Sequence, residues 1–271
     1  MLLTRVITAA VLLPLFVGGL FFLPTGGWAV GLLPFLLAAA WEWAVLSGFG
    51  RAGQWGFCLA VLVTALMVLL GMQHVAFIAF ERATYGVAGM FWLVCAPAWL
   101  RFGWRARSPL LLMPSGWLLI VPTWLALVRL QQWPWVLLAV LGVVWVADIA
   151  AYFAGHVWGR HKLAPSISPG KTWEGVAGAV VAVAVYHALV WYFGFRSVMP
   201  GAAIAATALV AVLLPLSILG DLFESWIKRQ AGVKDSSRLL PGHGGVLDRI
   251  DGLTATLPLA ALAVPWMLQR S

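Results

Sequence analysis

Hydrophobic residues along this chain do not alternate with polar ones. They run together in blocks near the ~20 residues a helix needs to cross the hydrocarbon core of a bilayer. No charge interrupts the chain between Arg5 and Glu42, and Pro24-Thr-Gly-Gly27 divides that run into spans at 6–23 and 28–46. Further blocks predict spans at 55–72, 85–100, 117–128, 134–154, 176–195, 202–223 and 253–268, nine in all. The fourth and fifth are short and contain prolines. Arg5 followed by an apolar run has the look of a signal peptide, but the run is long and more spans follow, so an uncleaved first helix is expected. The expected fold class is therefore all-α, a polytopic integral membrane protein of about nine transmembrane helices.

Composition agrees. The chain is 63% hydrophobic and 10% charged, where soluble domains carry about 25% charge. Its seventeen Trp suit a membrane protein, because indoles collect at bilayer interfaces. Cys58 and Cys95 lie within apolar runs and read as small core residues, implying neither disulfide nor metal. The net charge of +8 has no soluble domain to display it to nucleic acid, and fits anionic headgroups or a polyphosphate better. With a cytoplasmic N-terminus, nine spans put thirteen Lys and Arg inside against four outside, namely Arg82, Arg129, Arg196 and Arg270. That orientation places the two long polar loops, 155–174 and 224–251, in the cytoplasm. No internal repeat appears. One membrane domain is expected over 1–271, with N-terminal helices in 1–133 and catalytic helices and loops in 134–271.

Charge is concentrated where chemistry is expected. Asp148 sits inside an apolar span, where a carboxylate costs about 2.5–3.5 kcal/mol on insertion scales and defaults to a functional assignment. Tyr152 follows one helical turn later. Asp221, Glu224, Ser225 and Lys228 form a stripe on a helix leaving the membrane. For Glu224 alone, a solvated helix end with a Glu224–Lys228 pair is the simpler expectation. Clustered carboxylates call for a hard cation with oxygen ligands, most simply Mg²⁺ completed by phosphates. Gly244 and Gly245, after His243, permit close backbone approach and can offer N–H groups to phosphate. Asp248 and Asp251 would share a face at the start of the last helix, where acidic residues also serve as caps. His243 alone reads as a structural hydrogen bonder. Ser168-Pro-Gly-Lys171-Thr172 resembles the end of a P-loop, but Pro165 stands where its first Gly belongs and no strand is expected before it. Lys171 beside a hydroxyl at a helix start remains a candidate anion site.

Ser225-x-Ile-Lys-Arg-x4-Lys234-Asp235-x-Ser237-x2-Leu-Pro-x-His243-Gly-Gly-Val-x-Asp248-Arg249-Ile-Asp251 resembles the signature of the phosphatidate cytidylyltransferases, or CDP-diacylglycerol synthases. Asp148, Ala151-Tyr-Phe153 and Ser168-Pro-x-Lys-Thr-Trp-Glu-Gly175 are similar to that family too, so the match covers 141–252. Position 170 is Gly here where some members carry Lys. The resemblance implies CTP and phosphatidic acid as substrates, CDP-diacylglycerol and pyrophosphate as products, and Mg²⁺ dependence with room for a second cation. It also allows a homodimer among membrane lipids, with no nucleic-acid partner. A bacterial inner membrane with the site facing the cytoplasm is the expected location. Catalytic roles then fall to Asp148, Asp221, Asp248 and Asp251, with Asp221 and Asp248 holding the metal. Ser168, Lys171, Thr172, Lys228, Lys234, Arg238, His243, Gly244, Gly245 and Arg249 become candidates for nucleotide or lipid phosphate.

Three other readings compete. An ion-coupled transporter would use Asp148 and Asp221 for cations, but the chain lacks the repeat many transporters carry. A CTP-dependent lipid or polyprenol kinase would share metal and nucleotide and deliver the γ-phosphate instead. A CDP-alcohol phosphotransferase needs Asp-x-x-Asp-Gly-x-x-Ala-Arg; Asp248-x-x-Asp251-Gly252 is present and the Arg is not.

Overall fold

Within a bilayer a chain must satisfy its backbone groups internally, so each apolar block becomes a helix. The structure, a computed structural model, describes residues 2–72, 74–106, 108–197 and 199–269. Arg107, Arg270 and the side chain of Arg5, which enter the charge bias, lie outside the described residues. In chain order the helices are α1 (Leu2–Phe22), α2 (Thr25–Gly31), α3 (Leu33–Leu46), α4 (Arg51–Gly71), α5 (Val75–Met90), α6 (Ala96–Phe102), α7 (Pro109–Leu130) and α8 (Pro134–Trp158). A hairpin of β1 (Lys162–Ala164) and β2 (Ser168–Thr172) follows, then α9 (Trp173–Val190), α10 (Ala203–Gln230) and α11 (Leu247–Leu268). Single π-helical segments, Phe91–Cys95 and Trp191–Phe195, join α5 to α6 and extend α9.

Among the described residues eight helical segments are long and apolar enough to cross a membrane, and Val6–Phe22 is a shorter apolar helix. The segment at the fourth expected span starts well before residue 85, because α5 carries Glu81 and Arg82 within its length. Glu81 is buried, accepts the Tyr85 hydroxyl at 3.1 Å, and lies 3.8 Å from Arg129 Nε of α7. A charge met by a neighbouring helix does not end a span. The fifth also lengthens, to the whole of α7. Outward-facing Phe22, Leu110, Phe193 and Ile204 are strongly exposed, as side chains against lipid should be.

Several tryptophans work inside the bundle rather than at its interfaces. The indole N–H groups of Trp28 and Trp43 donate to Leu127 O (3.1 Å) and Leu112 O (2.8 Å), and that of Trp124 to Ala29 O (3.2 Å). These bonds tie α2 and α3 to α7. α8 packs along α9, and α10 along α11. α10 has 28 residues, about 42 Å of helix against a hydrocarbon core of about 30 Å, so its last turns project beyond the core. Asp221 lies where that projection begins.

The hairpin lies outside the all-α expectation. Lys162 pairs with Thr172 and Ala164 with Ser168, antiparallel. It packs beside the ends of α8, α9 and α10, so the polar segments 155–174 and 224–251 meet at one end of the bundle.

Candidate active site

The site is built where α10 crosses α11. A Cβ on Gly220 would stand 2.5 Å from the Asp251 carbonyl oxygen, and one on Gly252 would press on Val144 and Ser217. With hydrogens at these two positions the helices come into backbone contact, and Asp221 and Asp251, each next to one of the glycines, are carried toward each other. Phe223 holds α10 in place: its fully buried ring packs edge-on against Phe91, Trp92 and Trp99 at 5.5, 5.6 and 5.5 Å. The π-helical turn supplies both Phe91 and Trp92 to this cluster.

Asp221 is paired by Lys171 Nζ, 2.6 Å from Oδ2, while Ser225 Oγ donates to Oδ1 at 3.2 Å. Lys171 comes from β2, which explains why the hairpin matters. Thr172 next to it is buried and caps α9, accepting the Gly175 N–H at 3.1 Å. Ser168 sits at the other end of β2, paired with Ala164. Both ends of the hairpin are tied down. Arg229 Nε donates to the Ile167 carbonyl at 3.3 Å, and the Glu174 carboxylate meets His161 Nδ1 at 2.6 Å. Asp148 is exposed and makes no hydrogen bond among the described residues. Asp221, Lys171 and Arg249 lie within Coulombic reach of it, and Asp251 within reach of Asp221, Asp148 and Lys228. Tyr152 is exposed and stacked on His156.

Asp248 belongs to a second nest. Its Oδ1 meets Lys228 Nζ at 2.6 Å, and its Oδ2 accepts Ser236 N–H (2.9 Å) and Gly245 N–H (2.8 Å) and lies 2.9 Å from Ser236 Oγ, whose one proton it shares with Glu42. This corrects two expectations. The Gly245 amide is committed to a carboxylate rather than free for phosphate, and Asp248 is surrounded by protein donors. Gly244 adopts φ +81°, and a Cβ there would stand 2.7 Å from Asp248 Oδ2; the two glycines serve the chain's own carboxylate. Glu224 is also corrected: it is buried, not solvated, 3.4 Å from Lys228 Nζ, and neither of its oxygens accepts a hydrogen bond among the described residues.

The remaining candidates divide. Lys234 and Arg238 on the loop and Arg249 in the first turn of α11 are exposed and available to a ligand. His243 donates its backbone N–H to Leu240 O at 2.8 Å, and its Nδ1 is buried without a partner among the described residues. Glu42 was absent from the candidate set. It is 2% exposed on α3 and accepts Ser237 Oγ–H (2.6 Å), Val246 N–H (3.0 Å), Ser236 Oγ–H (3.0 Å) and Leu247 N–H (2.8 Å). A lone glutamate ending an apolar run is the signal that could have found it.

Five carboxylates, Asp148, Asp221, Glu224, Asp248 and Asp251, face three cations, Lys171, Lys228 and Arg249. The surplus is negative and the donors are oxygens, which suits a hard divalent ion. Among the described residues no three His, Cys, Asp or Glu side chains converge closely enough to hold a metal alone, so phosphate and water oxygens would have to complete its shell. Exposed basic residues ring the same end. Such an arrangement can bring two phosphates together by neutralising them.

Residues 3–267 match the family described as the cytidylyltransferase family. The chain is 42% identical over 274 residues to the phosphatidate cytidylyltransferase of Pseudomonas aeruginosa, covering 98% of this chain and 97% of that one. It is 31% identical to the enzyme of that name from Haemophilus influenzae over 95% and 96% of the two chains. To that of Thermotoga maritima it is 42% identical over 133 residues, 45% of this chain and 46% of the other.

Proposed function

The chain belongs to the cytidylyltransferase family, and from that we infer its reaction: it transfers CMP from CTP to phosphatidic acid, giving CDP-diacylglycerol and pyrophosphate. Similarity to phosphatidate cytidylyltransferases along nearly the whole length is the observation that carries this. A phosphate oxygen of the lipid attacks the α-phosphorus of CTP, the bond from that phosphorus to the bridging oxygen breaks, and pyrophosphate leaves with the electron pair. No general base is needed, since a phosphate monoester is already ionised near neutral pH.

Charge must be managed instead. We propose that Lys171, Lys234, Arg238 and Arg249 draw in the triphosphate and the lipid phosphate, with Ser168 and His243 at the rim of that surface. Lys171, already on Asp221 at 2.6 Å, sits between the carboxylates and any arriving phosphate. We assign Mg²⁺ to Asp221, with Asp251 facing it; Asp248 joins as a ligand only when Lys228 releases its Oδ1. When bound, the ion supplies positive charge to the reacting phosphates. Asp148 adds to the field that holds the cation, and a second cation would compete with the Lys228 ammonium between Asp248 and Glu224.

The site end faces the cytoplasm of a bacterial inner membrane in this proposal, supported by the basic residues gathered in the polar segments 155–174 and 224–251. Lipid then enters from the inner leaflet and CTP from water. A homodimer is part of the same proposal, supported by the family resemblance and tested by cross-linking in membranes. Purified protein with phosphatidic acid and CTP labelled at the α- or γ-phosphate decides the reaction. Lipid carrying the α-label supports it; γ-label in lipid means a kinase, and no labelled lipid leaves a transporter.

A further inference from the structure

Glu42 is a carboxylate that the reaction above does not use. No Lys or Arg pairs with it among the described residues, yet both of its oxygens are met by protein donors. Oε1 takes the Ser237 hydroxyl and the Val246 amide, and Oε2 the Ser236 hydroxyl and the Leu247 amide. Two amides at the start of α11 and two hydroxyls form the kind of receptor that binds phosphate at helix N-termini. Here the occupant is the chain's own side chain, delivered from α3 in the other half of the sequence. Ser236 Oγ also lies 2.9 Å from Asp248 Oδ2, so the one proton of this hydroxyl is shared between the Glu42 carboxylate and the Lys228–Asp248 pair. A Cβ on Gly245 would collide with Ser236 Oγ and stand 2.5 and 2.6 Å from the two Glu42 oxygens.

We propose that Glu42 is a positioning residue for CMP transfer. It anchors both ends of the 236–247 loop, so that Asp248 and Lys228 keep their place beside Asp221 and Asp251. The proposal rests on the transfer reaction inferred above. It also makes a separate claim about the loop, which needs no substrate to check.

The test uses the full-length protein in micelles containing phosphatidic acid. It measures kcat, KM for CTP, and tryptic cleavage at Lys234 and Arg238 without substrate. Glu42→Gln and Glu42→Ala are expected to lower kcat about 100-fold, the scale of a small misplacement, with KM for CTP near wild type and cleavage accelerated. Acetate or formate should restore part of kcat to Glu42→Ala by refilling the receptor. Gly245→Ala, which crowds the same carboxylate from the loop side, should lower kcat and leave KM for CTP unchanged. Glu42→Asp, which keeps the charge one methylene short, gives the same signature at smaller size if the other variants do not fold. Wild-type kcat in Glu42→Gln, a rise in KM for CTP as the main effect of Gly245→Ala, or a loss with neither faster cleavage nor acetate rescue would overturn the proposal. A wild-type protein that makes no CDP-lipid while Glu42→Ala still cleaves faster would remove the transfer reading and leave the loop anchor standing.

Discussion

Replacing Lys228 by Met tests the charge arrangement at its most buried point. The ammonium lies 2.6 Å from Asp248 and 3.4 Å from Glu224, with side-chain exposures of 11%, 5% and 3% in that order. Met fills a similar volume and removes the charge, leaving two buried carboxylates without a counter-ion. Breaking one side of a buried pair costs about 3–5 kcal/mol. Asp248 keeps two amide donors and a share of the Ser236 hydroxyl on Oδ2, so the loss falls on Oδ1 and on Glu224, and about 3 kcal/mol is expected. Adding Glu224→Gln neutralises one orphan and should recover about 1 kcal/mol as non-additivity between contacting residues. Tryptophan fluorescence during SDS unfolding in mixed micelles reads both values. A change under about 0.5 kcal/mol, typical of a surface site, would refute the reasoning, as would strict additivity in the double variant.

Asp221→Asn should lower turnover about 100-fold or more, the scale of losing one electrostatic contact to the reacting group, in a labelled-CTP assay on folded protein. Gly220→Ala places a methyl against the Asp251 carbonyl and forces α10 from α11. About 1–3 kcal/mol of stability should be lost together with activity, read by unfolding and turnover on one preparation. Chelation of divalent ions should abolish turnover and Mg²⁺ should restore it, in the same assay. Glu174→Gln weakens a contact to a His161 side chain that is mostly exposed; its unfolding curve should overlay that of the wild type, since exposed pairs contribute little.

The bundle was legible because lipid imposes one rule everywhere: apolar blocks of sufficient length become helices. That rule located the chain's main turns, including the break at Pro24, and marked Asp148 and Asp221 by their cost. It failed where tertiary contact cancels a charge. Glu81 and Arg82 were read as the outside of a span, yet Arg129 and Tyr85 let α5 run through them. The same blindness hid Glu42, whose four donors lie roughly 200 residues away, and made Glu224 look solvated. Many of the candidate residues fall at one end of the bundle, but which of them pair with which was not legible. Spacing along α11 puts Asp248 and Asp251 on one helix face, but whether either meets a lysine or a metal depends on Gly220, Ser236 and the hairpin. The strands of that hairpin, three and five residues long, leave no periodic signal.

The central claim is that surplus carboxylate charge at this end of the bundle, with Asp221 foremost, holds a divalent cation for phosphate chemistry. Titration of Mn²⁺, as a paramagnetic substitute for Mg²⁺, into wild type and Asp221→Asn with CTP present measures that directly by electron paramagnetic resonance. The account expects protein-bound Mn²⁺ in the wild type and its loss or marked weakening in the variant. Equal binding by a folded Asp221→Asn protein would contradict it.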